Sequence, residues 1–327
     1  MIDLPTARLR ARLLTETRDF FSGRGFLEAD TPHFAPQVIP EPTIELFATR
    51  FSNPYGEDRE LFLLPSPEYW LKKLAGEFPG TPLFQLARSF RNREQSGRLH
   101  NIEFTMLEWY RPESGYMESA KETGELILRL CGAAGVRAPG FSFMSMEEAF
   151  RRFAGLELAP LTADAGLLRE ALERRGVVSA ADDSWNDLFQ RLFITLVEPE
   201  LPDDEPLFLY DYPARIACLA EEKAGTPWRE RWELYWKGVE LANCYTELTD
   251  AAGVRLLLEG EAVKKRRCAA VEVRIDDEYW KSFTPPYPRS SGVALGFDRL
   301  LMLLAGKESL AEVIYFPFGG GSNSLTL

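Results

Sequence analysis

The segment Phe84–Arg111, FQLARSFRNREQSGRLHNIEFTMLEWYR, constrains this fold more than any other stretch. Leu83–Phe90 and Ile102–Tyr110 are rich in β-formers, and the charged, turn-prone Asn92–Asn101 separates them. That pattern predicts two strands of one hairpin. On the second strand, a period of two puts Phe104, Met106, Glu108 and Tyr110 on one face and Glu103, Thr105, Leu107 and Trp109 on the other. A ring, a carboxylate and a phenol in a row suit a ligand better than solvent or a dry core. Arg91, Arg93, Arg98 and His100 at the hairpin's mouth could hold phosphates. An ordinary surface hairpin with a solvated loop would show the same local pattern.

With 327 residues, 45% of them hydrophobic, a large core is within reach. No apolar run reaches transmembrane length and the N-terminus lacks a signal-peptide pattern, so no membrane association and a cytoplasmic location are expected. Cys131, Cys218, Cys244 and Cys268 lie far apart with no CxxC, which argues against a disulfide framework or a structural zinc. A net charge of −12 gives no general affinity for nucleic acid. His33 and His100 are the only histidines, so histidine-based metal sites and Ser-His-Asp chemistry are poorly supported.

In chain order, Thr6–Gly23 reads as an amphipathic helix and Phe26–Thr31 as a short strand stopped by Pro32. Short strands are predicted near Ile44–Phe47, Arg50–Phe51 and Leu61–Leu64. Ser66-Pro67-Glu68 opens a helix, with Pro67 at its first position. Ser119–Ala134 is helical. Residues 135–205 change character, with helices predicted at Met146–Phe153, Ala163–Arg175 and Trp185–Val197 between acidic and proline-bearing linkers. They read as a helical insertion packed beside the core. Leu207–Asp211 returns to strand, Glu259–Arg267 is a short charged helix, and Gly292–Leu304 reads as a glycine-containing turn running into a helix. The expected organisation is one domain over 1–318 and a flexible tail over 319–327.

Two further constellations carry chemistry. In Glu233–Glu247 (ELYWKGVELANCYTE), Glu233 and Glu240 stand seven apart. Two strands, a bulged strand or one helical face would bring both to one divalent ion, and such oxygen ligands suit Mg²⁺ held against substrate phosphates. Asn243 and Glu247 add an amide and an anion suited to a small cationic ligand. Interleaved Leu, Trp, Val and Tyr weaken the alternative of a solvated acidic face. In Gly296-Phe297-Asp298-Arg299, an arginine at a helix start can bind phosphate.

Together these segments resemble the catalytic domain of class II aminoacyl-tRNA synthetases. Gly25–Pro32 is similar to their motif 1, Phe90–Glu108 to motif 2 and Ala294–Arg299 to motif 3, while Arg98–Tyr110 and Glu240–Asp250 resemble the lysyl branch. Motif 1 begins almost at residue 1, so no N-terminal OB-fold is expected, and the chain is similar to the truncated paralogues of the elongation factor P–(R)-β-lysine ligase family. The resemblance implies an α+β fold, an antiparallel sheet flanked by helices, dimeric through motif 1. It implies ATP and Mg²⁺, activation of β-lysine as an adenylate, and transfer to a lysine of elongation factor P, without stable tRNA binding.

Residue by residue, it implies that Arg91 and Arg299 are catalytic, on the α- and γ-phosphates. ATP would also meet Asn92, Arg93, Glu94, His100, Asn101, Phe104 (stacked on adenine), Glu233, Leu234 and Gly296. Glu233 and Glu240 would hold the metal. Ser66, Glu68, Glu108, Tyr110, Glu240, Asn243, Glu247 and Ala294 would line the amino-acid site, with Glu247 on the distal ammonium. Arg93 stands where the family has Glu, leaving open whether Arg93 or Glu94 meets adenine. Cys244 and Ala294 replace usual glycines. Rival readings are a minimal lysyl-tRNA or other amine ligase using α-lysine, and a non-enzymatic regulatory paralogue.

Overall fold

The hairpin expected at residues 83–110 lies inside an eight-stranded sheet in a computed structural model that describes residues 2–94, 97–284 and 287–318. Helix α1 (Leu4–Ser22), capped by Asp3, leads into β1 (Leu27–Glu28). A small three-stranded sheet follows, from β2 (Phe34–Ala35), β3 (Phe47–Phe51) and β4 (Arg59–Leu63). Helix α2 (Glu68–Glu77) precedes the hairpin β5 (Leu83–Phe90) and β6 (Glu103–Pro112), and α3 (Tyr116–Ala134) comes after it. The insertion opens with β7 (Ser142–Ser145) and carries the short helices α4 (Met146–Ala149), α5 (Leu158–Leu161), α6 (Ala165–Glu173) and α7 (Trp185–Leu192). The chain then returns through β8 (Leu207–Pro213), β9 (Trp228–Trp236) and β10 (Val239–Thr246). It closes with α8 (Ala251–Cys268), β11 (Ser290–Gly296) and α9 (Phe297–Leu304).

The strand order is β1-β5-β6-β11-β10-β9-β8-β7. The six middle strands pair antiparallel, as expected, but β1 on β5 and β7 on β8 are parallel. The sheet is therefore mixed, because each edge strand joins its neighbour through a long crossover rather than a hairpin. Three sequence expectations change. Only Leu27–Glu28 of the Phe26–Thr31 segment forms strand, residues 290–296 form a central strand rather than a turn, and α8 starts eight residues earlier than Glu259, capped by the Asp250 carboxylate. Residues 319–327 lie outside the described residues. Among the described residues no helix is long and apolar enough to cross a membrane.

One face of the sheet is covered by α1, α3 and α9. Phe21 stacks on Phe84 with centroids 4.8 Å apart and also meets Trp109, while Leu107 and Trp109 of β6 are fully buried beneath these helices. That burial consumes one side of the β6 alternation and leaves Glu108 and Tyr110 for the other. The insertion has its own core, with Phe150, Trp185, Phe189 and Phe193 packed on Leu207, Leu209, Tyr212 and Tyr235. It is a buttress on the sheet, not a separate body.

A buried ion pair fastens α1 to the start of α9. Arg10 donates to the Asp298 carboxylate at 2.5 Å and to Thr105 Oγ1 at 2.7 Å, and Asp298 also accepts the Thr105 N–H at 2.7 Å. Removing one partner of such a pair leaves a desolvated charge. Arg10→Met should cost about 3–5 kcal/mol of unfolding free energy. Urea titration checks this, and a loss below about 1 kcal/mol, typical of an exposed pair, would refute it.

Candidate active site

The opposite face of the middle strands carries a ladder of aligned side chains. Glu108 on β6 pairs with Ala294 on β11, Ala294 with Asn243 on β10, and Asn243 with Glu233 on β9. The next rung runs Tyr110, Gly292, Tyr245, Arg231. The register of β9 and β10 follows from their turn, where Lys237 (φ 52°) and Gly238 (φ 69°) both adopt the left-handed region that a two-residue hairpin of this hand demands. Residues 232–248 are thus a hairpin, which settles the choice between strand and helix. Glu240 reaches the same face through a bulge between Glu240 and Ala242, which shifts the alternation by one residue.

At one end of the ladder lies a pocket rich in carboxylates. Glu108 is 2% exposed. Its Oε1 accepts the Tyr110 hydroxyl at 2.6 Å, and its buried Oε2 has no partner among the described residues. Burial first, then the charge of Glu68, pushes the Glu108 carboxyl up to about 8. Glu68 stands in the first turn of α2, and the Ser66 hydroxyl accepts its N–H at 3.2 Å. One turn on, the fully buried Lys72 places Nζ 2.6 Å from Glu68 Oε1 and 2.8 Å from Glu247 Oε2. Burial raises Glu247 to about 7 despite Lys72. Glu41 is also raised to about 7, by burial and then by Glu68. A Cβ on Gly292 would collide with Glu247 Oε1 and the Tyr110 ring, so only glycine lets these two groups lie against β11. Carboxylates outnumber cations here, and the pocket favours a positively charged ligand.

Toward the other end stand Arg91 and Arg299. The Arg91 guanidinium sits 5.2 Å from the Phe104 ring centroid, and its buried Nε lacks a partner among the described residues. Arg299 donates to the Glu240 carbonyl at 2.8 Å and the Leu99 carbonyl at 3.3 Å, and lies 3.2 Å from His100 Nε2. Burial, then Arg299, lowers the His100 pKa, with Glu94 opposing from 3.9 Å. Pro42, Thr43, Glu45, Asn92, Arg93, Glu94 and His100 line an open cleft of about 440 Å³. Arg93 has φ 55°, and Glu94, next in the chain, lies 3.9 Å from His100.

Several expected residues stand differently. Leu234 is fully buried in the core beneath the opposite face, so its side chain is not in the site. Asn92 donates to the Leu46 carbonyl, and Asn101 binds the Glu103 carbonyl and the Phe318 N–H. Both amides brace loops. Arg98 is exposed, and its carbonyl accepts the Leu310 N–H. Glu247 already pairs with Lys72. Glu233 has both oxygens engaged, by Arg231 at 2.5 Å and by the Tyr212 and Tyr235 hydroxyls at 2.6 and 2.7 Å. Those two tyrosines belong to the insertion's core, so the insertion supports the site from behind. Asn243 donates to the Tyr245 hydroxyl and keeps a buried Oδ1 without a partner among the described residues. Gly296 caps α9 with room around it.

Sequence reasoning missed Lys72, Gly292, Arg231, Tyr212, Tyr235 and Glu41. Only Lys72 left a readable trace, four residues after Glu68 on a helix, and that spacing suggests a surface pair by default.

The chain matches the family model of class II tRNA synthetases (D, K and N) over residues 5–319. It is 39% identical over 317 residues to the elongation factor P–(R)-β-lysine ligase of Enterobacter sp. (strain 638), spanning 96% of this chain and 95% of that one. The protein of the same name from Pectobacterium atrosepticum is 40% identical over 313 residues, with 94% and 93% covered. That from Salmonella arizonae is 39% identical over 317 residues, with 96% and 95% covered.

Proposed function

This chain belongs to the class II tRNA synthetase family (D, K and N), and from that premise we propose that it is an ATP-dependent ligase that activates (R)-β-lysine and transfers it to a lysine side chain of elongation factor P. The observation that carries the reading is the buried Glu108 Oε2, without a partner among the described residues, in a carboxylate cluster on the sheet face that also carries Phe104 with the Arg91 guanidinium over it. The names borne by relatives 39–40% identical support the same substrate and acceptor.

The substrate carboxylate attacks the α-phosphorus of ATP and pyrophosphate leaves. The acceptor amine then attacks the acyl carbon, AMP leaves, and the ammonium proton passes to solvent. No protein nucleophile is required, so rate comes from positioning and from cations facing the phosphates. In this reading Arg91 and Arg299 hold phosphates, Phe104 stacks on adenine, and Glu94 rather than Arg93 meets its edge. Glu68 and Glu108 take the amine nearer the carboxylate, with Tyr110 and Asn243 beside them, and Glu247 takes the distal ammonium. Glu240, its side chain 43% exposed and 3.8 Å from the Arg299 guanidinium, fits one carboxylate ligand of Mg²⁺. Glu233 would support it from behind. Mg²⁺ would screen the phosphate charges, and it commonly binds through one or two carboxylates with the phosphates themselves. We assign a homodimer through the motif 1 segment, and no stable tRNA binding, given the net charge of −12.

Purified elongation factor P incubated with the protein, ATP, Mg²⁺ and (R)-β-lysine should gain the mass of one β-lysyl group. An unmodified factor alongside efficient charging of lysine tRNA would reverse the acceptor assignment.

Ala294 sits between Glu108 and Asn243, on the floor of the amine pocket. Its methyl narrows the space beside the substrate α-carbon and disfavours an α-amino group. Ala294→Gly should shift the ratio of kcat/KM values toward α-lysine, within the roughly 10–200-fold that one methylene commands. An unchanged ratio in pyrophosphate exchange would leave Ala294 as a packing residue.

A further inference from the structure

Lys72 takes no part in the chemistry assigned to the pocket, yet its side chain is fully buried. An apolar side chain of similar length would pack there at lower cost, since burying an ammonium is unfavourable unless its partners repay it. Its partners are two carboxylates on different elements, Glu68 on α2 and Glu247 just beyond β10, each giving it one oxygen. The other Glu247 oxygen, Oε1, lies against the bare Cα of Gly292, beside the Tyr110 ring. Lys72 Nζ itself stands 5.8 Å from the centre of that ring. The inner oxygens are thus tied to an internal cation while Oε1 of Glu247 stays on the ladder face.

We propose that Lys72 is a positioning residue for the distal ammonium of a diamino acid, fixing Glu68 and Glu247 from behind so that Glu247 Oε1, over Gly292, receives the substrate's cation. The proposal rests on the diamine reading of the pocket and deepens it. Charge supports the geometry. The groups facing Glu247 and Lys72 are Glu41 from the segment between β2 and β3, Glu68 from α2, Glu108 and Tyr110 from β6, Cys244 from β10, and Tyr279 and Tyr287 from the segment before β11. Lys72 is the cation among them. Glu247 is already raised to about 7 with Lys72 in place. Without Lys72 it would rise further and hold a proton at neutral pH, losing the charge that the ligand ammonium needs.

Calorimetric binding of (R)-β-lysine and of (R)-3-aminohexanoic acid, which lacks the distal amine, separates this role from scaffolding. Lys72→Met should bind the diamine at least about tenfold more weakly than wild type at neutral pH. Its loss for the monoamine, which keeps only the amine that Glu68 and Glu108 receive, should be several-fold smaller. The diamine defect should shrink as pH rises from about 6.5 to 9, because Glu247 regains its charge while the distal ammonium, with a pKa of about 10.4, keeps its own. Equal weakening of both ligands at every pH, or unchanged affinity for the diamine, would overturn the proposal. Should Lys72→Met fail to fold, the Lys72→Met/Glu247→Gln double variant removes both charges together. It should lose more affinity for the diamine than for the monoamine, and that difference should show no pH trend, whereas wild-type affinity for the diamine would overturn the role. Wild type that bound neither ligand would instead overturn the diamine reading and, with it, any role for Lys72.

Discussion

Replacing Arg299 by methionine is expected to lower kcat/KM for ATP in β-lysine-dependent pyrophosphate exchange by roughly 10²–10³-fold, the cost of removing one preorganised donor from developing charge. Arg299 earns that weight by its position. It is the first basic residue of α9 and joins three segments, through the Leu99 carbonyl, His100 Nε2 and the Glu240 carbonyl. Methionine keeps the aliphatic stem and removes every donor, so the fold should survive. A second readout is independent of activity. Arg299 is one cause of the lowered His100 pKa, so the variant should titrate His100 at higher pH than wild type. Proton NMR resolves this readily because His33 is the only other histidine. Exchange within tenfold of wild type, with His100 unmoved, would remove Arg299 from the nucleotide site.

How far the site was legible follows from how local each signal is. Leu83–Phe90 was recovered with its boundaries intact, and the β6 alternation correctly divided Glu108 and Tyr110 from Leu107 and Trp109, because period two needs no partner to be read. Glu240 is different. It reaches the ladder through a bulge, and an extra residue in one strand leaves no mark on spacing. The parallel pairing of β1 and β7 was unreadable for a related reason, since each pairs across dozens of residues. Gly292 and Gly296 suggested a turn because glycine usually weakens strands. At Gly292 the glycine instead makes room for Glu247 and Tyr110, a requirement imposed by two distant segments. Lys72 was overlooked because a lysine is rarely fully buried. It is buried only because the fold brings Glu247 to the Glu68 helix.

Glu108→Gln should give a more stable protein that no longer recognises its amine. In the free protein the Glu108 carboxyl is pushed up to about 8, above its ordinary 4.5, by burial and then by Glu68. The folded state therefore holds a proton that the unfolded chain releases, and wild type loses stability as pH rises from about 4.5 to about 8. Glutamine cannot ionise and escapes that loss, so the variant should melt higher than wild type at pH 8, with a smaller difference near pH 5. Function should move the other way. An ammonium on Oε2, which has no partner among the described residues, stabilises the ionised carboxylate, so wild type should release close to one proton from Glu108 on binding at neutral pH. Calorimetry in buffers of different ionisation enthalpy counts that proton, and the variant should release about one fewer. Losing a buried charge partner costs about 2–5 kcal/mol, which predicts a fall of roughly 30- to 5,000-fold in kcat/KM for the amino acid. A variant that melts like wild type and releases as many protons would show that Glu108 is ionised before the amine arrives. The pocket's selectivity would then rest on Glu68 and Glu247 alone.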